Sequence, residues 1–209
     1  MWIGLIRVMH TELIEESRKQ TVVELTASRD GRHFTRVARR ETLIPLGAAD
    51  EWDPHYHAPT LPPILVGDEL WIYYFSMPLL DPEKVGLEEA QAAQISRIGL
   101  ASIRRDGFVS LDAGPTSGRV VTRPLTFDGQ ALYVNARIAA DGWLKAELRN
   151  TAGESAAHYR LDQCDPLTGD VVSAQMTWGK RKLLELPANK SRRAVSELKN
   201  AKLYSFWLE

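Results

Sequence analysis

Short runs of apolar or alternating residues, broken at close intervals by turn dipeptides, make up most of this chain, a pattern of antiparallel sheet and not of helix. Trp2 to Met9 and Thr21 to Ser28, "TVVELTAS", predict two strands. Asp30-Gly31 then predicts a hairpin into "HFTRV", because Asp-Gly readily takes the positive φ of a tight turn. Further on, "PPILV" leads through Gly67-Asp68 into Leu70 to Phe75, "LWIYYF", and Ile98 to Ile103 leads through Asp106-Gly107 into "FVSL". The stretches "LTASRDGRHF" and "LASIRRDGFV" follow one recipe: an apolar strand with Ala-Ser, a basic residue, Asp-Gly, then an aromatic strand start. This internal repeat has a period of roughly 70 residues, about one four-stranded propeller blade with generous loops. One helix is predicted, Pro82 to about Ile95, with Asp81 as N-cap, Pro82 at the first helical position and acids in the opening turns.

Beyond Leu111 the texture changes. Gly114, Pro115, Ser117 and Gly118 mark a boundary, which divides the chain into a first domain over residues 1–113 and a second over 114–209. In the second, "ALYVNARIAADGWLKAELRN" predicts two strands turning at Asp141-Gly142, with another turn near Ala152-Gly153. "DVVSAQMTW", "RRAVSEL" and "AKLYSFWLE" add strands, the last two joined near Lys199-Asn200. Short strands with frequent turns read as a β-sandwich. The expected fold is therefore all-β: a partial β-propeller of about two blades with one helical insertion, followed by a β-sandwich.

Composition narrows the function classes. The 209 residues are 44% hydrophobic, ample for packed cores, and 26 Lys and Arg against 27 Asp and Glu leave a net charge of -1. Such a balance gives no field for a phosphate backbone, so nucleic acid is not expected as a partner. The basic cluster from Lys180 to Arg193 reads as a solvated surface. No apolar run reaches the roughly 20 residues of a membrane span, and no membrane partner is expected. The N-terminus lacks the features of a signal peptide, so the chain as written reads as cytoplasmic, with export open if a leader precedes it. Cys164 is the single cysteine, which rules out an intramolecular disulfide.

Candidate chemistry concentrates in "EWDPHYHAP", residues 51–59. On an extended strand, alternate residues share a side, so Asp53, His55 and His57 could converge as a three-ligand metal centre for zinc or non-haem iron. Read otherwise, they contact sugar or water at a channel mouth, or only join strands; Trp52 and Tyr56 could stack on sugar rings or seal neighbouring sheets. Strands of a blade run up and down, so connections fall alternately at its two ends. The "VGDE" and "RDG" turns occupy one end, and the long connections from His10 to Gln20, from Arg39 to Pro63 and after Ser76 occupy the other. That elaborated end is where function is expected, and it includes His10 and the residue 51–59 motif. Asp162, Asp165 and Asp170 in "YRLDQCDPLTGD" match no EF-hand spacing and read as turn caps.

Taken together, "ASRDGRHFTRV", "IPLG...EWD", "PPILVGDELWIYYFS" and "IGLASIRRDGFVSLDAG" resemble the closing blades of the five-bladed propeller glycosidases, the superfamily of glycoside hydrolase families 32, 43, 62 and 68. "TRPLTFDGQALYVNA", "CDPLTGD" and "AKLYSFWLE" resemble the β-sandwich that follows the propeller in family 32-like proteins. The resemblance implies a carbohydrate ligand and three acids from earlier blades: an Asp nucleophile or base, an orienting Asp and a Glu general acid. No Asn-Asp-Pro or Arg-Asp-Pro signature is present, so no catalytic acid carries over. His10, Trp52, Asp53, His55 and His57 are the expected substrate contacts, with no cofactor. Since Met1 enters on the second strand of a blade, the resemblance also implies an open ring: a truncated product, inactive alone, or a half that associates with a chain supplying the missing blades. A non-catalytic sugar-binding or assembly module is the alternative.

Overall fold

The computed structural model describes residues 1–10, 20–48, 51–77, 83, 86–92, 96–126, 130–179, 181, 187 and 190–209. The chain is all-β and falls into two compact units, Met1–Arg105 and Asp106–Glu209.

The first unit contains two antiparallel sheets. In one, β1 (Trp2–His10) pairs along its whole length with β2 (Gln20–Ser28), whose other side takes β3 (Thr35–Arg36) and β4 (Thr42–Ile44). The Asp30-Gly31 turn forms as expected, with Gly31 at φ 72. It is held by the Asp30 carboxylate, which accepts the Arg32 and His33 amides at 2.9 and 2.8 Å. In the other sheet, β7 (Glu69–Ser76) lies between β8 (Arg97–Arg104) on one side and β5 (His57–Pro59) and β6 (Ile64–Val66) on the other. Gly67 at φ 59 makes the predicted two-residue turn from β6 to β7.

Buried apolar side chains in this unit are few: Val22, Val23, Leu25, Ile44, Tyr56, Ile72 and Tyr74. Trp2, Ile3, Met9, Ile64, Leu65, Val66, Ile98 and Leu100 are exposed. Both sheets thus present apolar flanks with no partner among the described residues. Of the predicted helix, α1 (Leu87–Ala92) and Glu83 are helical; Asp81, Pro82 and the last turn lie outside the described residues, as do residues 11–19 and Lys180 and Lys182 of the basic cluster. The cluster is not a solvated surface throughout: Arg192 opens β13 and is buried.

Two sequence expectations are corrected here. "FVSL" forms no hairpin with β8. After Arg104 the chain turns through Asp106 at φ 55, and β9 (Leu111–Ala113) pairs with β13 (Arg192–Leu208), anchored by the Lys202 ammonium 2.9 Å from Asp112. Nor do Asp141-Gly142 and Lys199-Asn200 end strands. β11 (Leu132–Asn150) and β13 run through both sites as one long bent ladder. Its register shifts between Ile138 and Trp143, where residues 139–142 oppose Asn200 alone. Asn200, at φ 44, supplies turn-type backbone, and the bulge absorbs it.

The second unit is one sheet in the order β10 (Gly118–Val121), β13, β11, β12 (Asp170–Gln175), with β9 also on β13. Leu132, Val134, Ala136, Ile138, Leu144, Ala146 and Leu148 keep the same alternation on both sides of the bulge, so both halves of β11 face one core with Tyr159, Met176 and Trp178. At the bulge, a Cβ on Gly142 would stand 2.5 and 2.6 Å from the Asn200 and Lys199 carbonyl oxygens. Backbone cannot yield as a flexible side chain does. Gly142→Ala should lose about 1–3 kcal/mol, whereas Gly114→Ala, which meets nothing within 4 Å, should be near neutral in urea unfolding.

The same unit holds a buried carboxylate, Glu147. Burial pushes it up, but bonds from the Arg149 guanidinium at 2.7 Å and the Ser155 hydroxyl, the Arg149 charge and the Leu161 amide outweigh that, leaving its pKa below the ordinary value. A depressed carboxylate contributes stability that is complete above its unfolded pKa, about 4.3, and is lost as pH falls through the folded value. The stability difference between the wild type and Glu147→Gln should therefore shrink below about pH 4.3, read as thermal midpoints across an acid titration.

Candidate functional site

The end of the first unit where the long connections attach is defined by its ladders. His10 pairs with Gln20, Ile44 with Val23, His57 with Ser76, and Ser76 with Arg97. A parallel bridge between Thr21 and Tyr56 sets the two sheets side by side at this end, with the Thr21 amide donating to the His55 carbonyl at 2.8 Å.

The residue 51–59 motif forms a strap between the sheets. Residues 51–55 bend, and only His57–Pro59 is strand, so the alternation of an extended chain does not operate. Asp53 and His57 come together across four residues, with the His57 Nε2 3.3 Å from the Asp53 carboxylate and 3.1 Å from its carbonyl. The His57 Nδ1 faces the Ile44 carbonyl at 3.4 Å. The Tyr74 hydroxyl donates at 2.7 Å to the same Asp53 carboxylate oxygen that faces His57. Burial pushes the Tyr74 hydroxyl pKa up, and its bond to Asp53 and the nearby Asp53 and Glu51 charges push the same way. Trp52 stacks on Tyr74 with ring centroids 5.8 Å apart, and the Tyr74 ring lies 4.5 Å from His57. Tyr56 reaches the other sheet, where the Arg7 guanidinium donates to its hydroxyl. Gly47 permits the close wrap, because a Cβ there would collide with the Asp53 carboxylate.

The three-ligand metal centre is not formed. Among the described residues no group of three His, Cys, Asp or Glu stands close enough to share an ion. The physical reason is the bend, which pairs Asp53 with His57 and leaves the three side chains without a common focus.

Of the expected substrate contacts, Asp53, His55 and His57 are buried, His57 completely, while Trp52 is partly exposed and the His10 side chain is 38% exposed. Chemically, the strap is a Tyr–Asp–His chain closed off from water with aromatic rings packed over it. It holds loops in place and presents Trp52 at its surface.

Beside it lies a cluster that the sequence reading missed. Glu24, wholly buried in mid-strand, receives two bonds from the Arg36 guanidinium, one of them at 2.6 Å, and its carboxylate lies 3.8 Å from the His10 Nε2. The Glu24 bond raises the Arg36 pKa above its ordinary value. The available signal was a lone acid inside the apolar run "TVVELT". Its partner sits on β3, opposite Thr26, two positions along the same face.

In the second unit, Asp165 accepts the Thr177 hydroxyl at 2.6 Å, Asp170 pairs with Arg137 at 3.0 Å and Asp162 with Arg160 at 3.2 Å, so these acids are separately engaged. Comparisons of the chain with family models, curated proteins and solved structures gave no match.

Proposed function

We propose that this chain is the C-terminal portion of a carbohydrate-active, glycosidase-like protein, its first unit a pair of propeller blades and its second a β-sandwich, binding glycans without hydrolysing them on its own. The observation that carries this reading is the coincidence, at one end of two repeated antiparallel sheets, of every long connection with a partly exposed tryptophan and histidine. Repetition of the Ala-Ser, Asp-Gly recipe in the sequence supports the blade assignment, with the first copy, at Asp30-Gly31, closing the hairpin that a blade requires. The second unit is a single sheet, and the sandwich reading draws its support from the long bent ladder of β11 and β13, both halves of which line one core, as when a sheet folds over onto itself.

In this reading Trp52 and His10 meet the sugar: the indole offers an apolar face to a pyranose or furanose ring and the imidazole bonds a hydroxyl. Asp53, His55 and His57 act beneath them as the rigid support. The acids of hydrolysis belong to other blades, consistent with the apolar flanks of both sheets, which also favour association with a chain that supplies further blades. The test is affinity electrophoresis through gels cast with a panel of plant and microbial polysaccharides, paired with a reducing-sugar assay. Retardation in at least one gel, reduced about tenfold or more by Trp52→Ala without sugar release, is the expected result. Unretarded migration in every gel would remove the glycan reading.

A further inference from the structure

Among the described residues no element covers the outer edge of β1. Native edge strands are kept from pairing with other chains by charges, prolines, bulges or a covering element. β1 pairs only with β2 among the described residues, contains no proline, and runs from Trp2 to His10 without a register shift. Its single full charge, Arg7, is turned onto Tyr56, with the guanidinium 5.5 Å from the ring centroid. Trp2 is 62% exposed, Ile3 42% and Met9 51%.

We propose that this edge is a self-association surface, joining two copies of the chain by antiparallel β1–β1 pairing about a two-fold axis at Ile6. The strand's own sequence selects the partner and the register. Centred on Ile6, the pairing sets each exposed Ile3 against the exposed Met9 of the other copy on one face and Trp2 against His10 on the opposite face. Arg7 then lies across from Leu5. Centring one residue later would put the two Arg7 charges directly opposite each other, which is unfavourable. Two-fold symmetry closes the contact, so it yields dimers and not fibres.

The area sets the strength. A Trp buries roughly 150–250 Å², and three exposed side chains along one strand edge fall short of the roughly 800 Å² per partner of a standard interface. The dimer is therefore weak and concentration-dependent. The inference does not rest on the glycan reading, since it requires no sugar, and a second copy would take the β1 edge that a further blade strand takes in that reading.

Sedimentation equilibrium over a wide concentration range tests it, together with single-cysteine crosslinking. Mass should rise from one chain towards two, and Ile3→Lys/Met9→Lys should remain one chain with an unchanged circular dichroism spectrum. In oxidising buffer Ile6→Cys should crosslink to itself, because opposed residues stand about 4.5–5.5 Å apart at Cα, within disulfide reach. Ile3→Cys should not, because its mate lies roughly 20 Å away along the strand. Cys164 is buried and stays out of the reaction. A constant single-chain mass, a dimer indifferent to the two lysines, or equal crosslinking of Ile3→Cys and Ile6→Cys would each overturn the proposal. If the lysine variant fails to fold, the cysteine pair alone decides.

Discussion

Arg36→Ala is expected to destabilise the first unit, because it strips a wholly buried carboxylate of its charged partner. The penalty comes from the group left behind. Glu24 has no exposed surface, and the Arg36 fork supplies both of its close charge-assisted bonds; His10, at 3.8 Å, is too far to replace them. The loss is moderated because the Arg36 side chain is one-third exposed, so water reaches part of the pair. The control is Glu24→Gln/Arg36→Ala, which leaves no unpaired charge and should recover at least half of the loss. Amide exchange along Gln20–Ser28 reports this unit specifically, and protection there should fall by about tenfold or more. An Arg36→Ala protein exchanging like wild type would show that Glu24 does not depend on the Arg36 fork.

Trp178→Ala should destabilise the second unit by about 3–5 kcal/mol. The indole is 3% exposed, meets Tyr159 edge-on at 5.3 Å between ring centroids, and donates its Nε1–H to the Ala146 carbonyl at 3.0 Å. Truncation therefore opens a cavity in the only large core of that unit among the described residues and removes a bond made inside it. Trp178→Phe separates the two effects: much of the ring volume stays and the bond goes, for a loss nearer 1–2 kcal/mol. Urea unfolding followed by circular dichroism gives the comparison. If the alanine variant lost under about 1 kcal/mol, the core would not depend on this side chain.

The two clusters differ in how far local sequence betrays them. Trp178 stands out as a large aromatic in a run of strand residues, but nothing in "QMTWGK" tells whether it faces core or solvent. Glu24 is readable as an oddity, an acid among Val and Leu, yet its partner twelve residues away emerges only when β3 folds back beside β2. The residue 51–59 motif shows the same limit from the other direction. Its residue types suggest three converging ligands, and one assumption about backbone, that the chain is extended, is enough to make that false.

Strand identity and the tight corners are written locally. Alternation along Trp2–His10, Gln20–Ser28 and Glu69–Ser76, and the positive φ that Gly31 and Gly67 accept, depend on neighbouring residues alone, and the protein is all-β for that reason. What the chain could not declare by itself was where turn chemistry ends a strand and where it only bends one. Asp106 sends the chain away from β8, while Asp141-Gly142 and Asn200 are absorbed as a bulge, because a 19-residue strand and a 17-residue strand already hold each other on both sides. Long-range pairing outweighs a local turn preference whenever the ladder bonds on either side exceed it, and that balance exists only once distant strands have met.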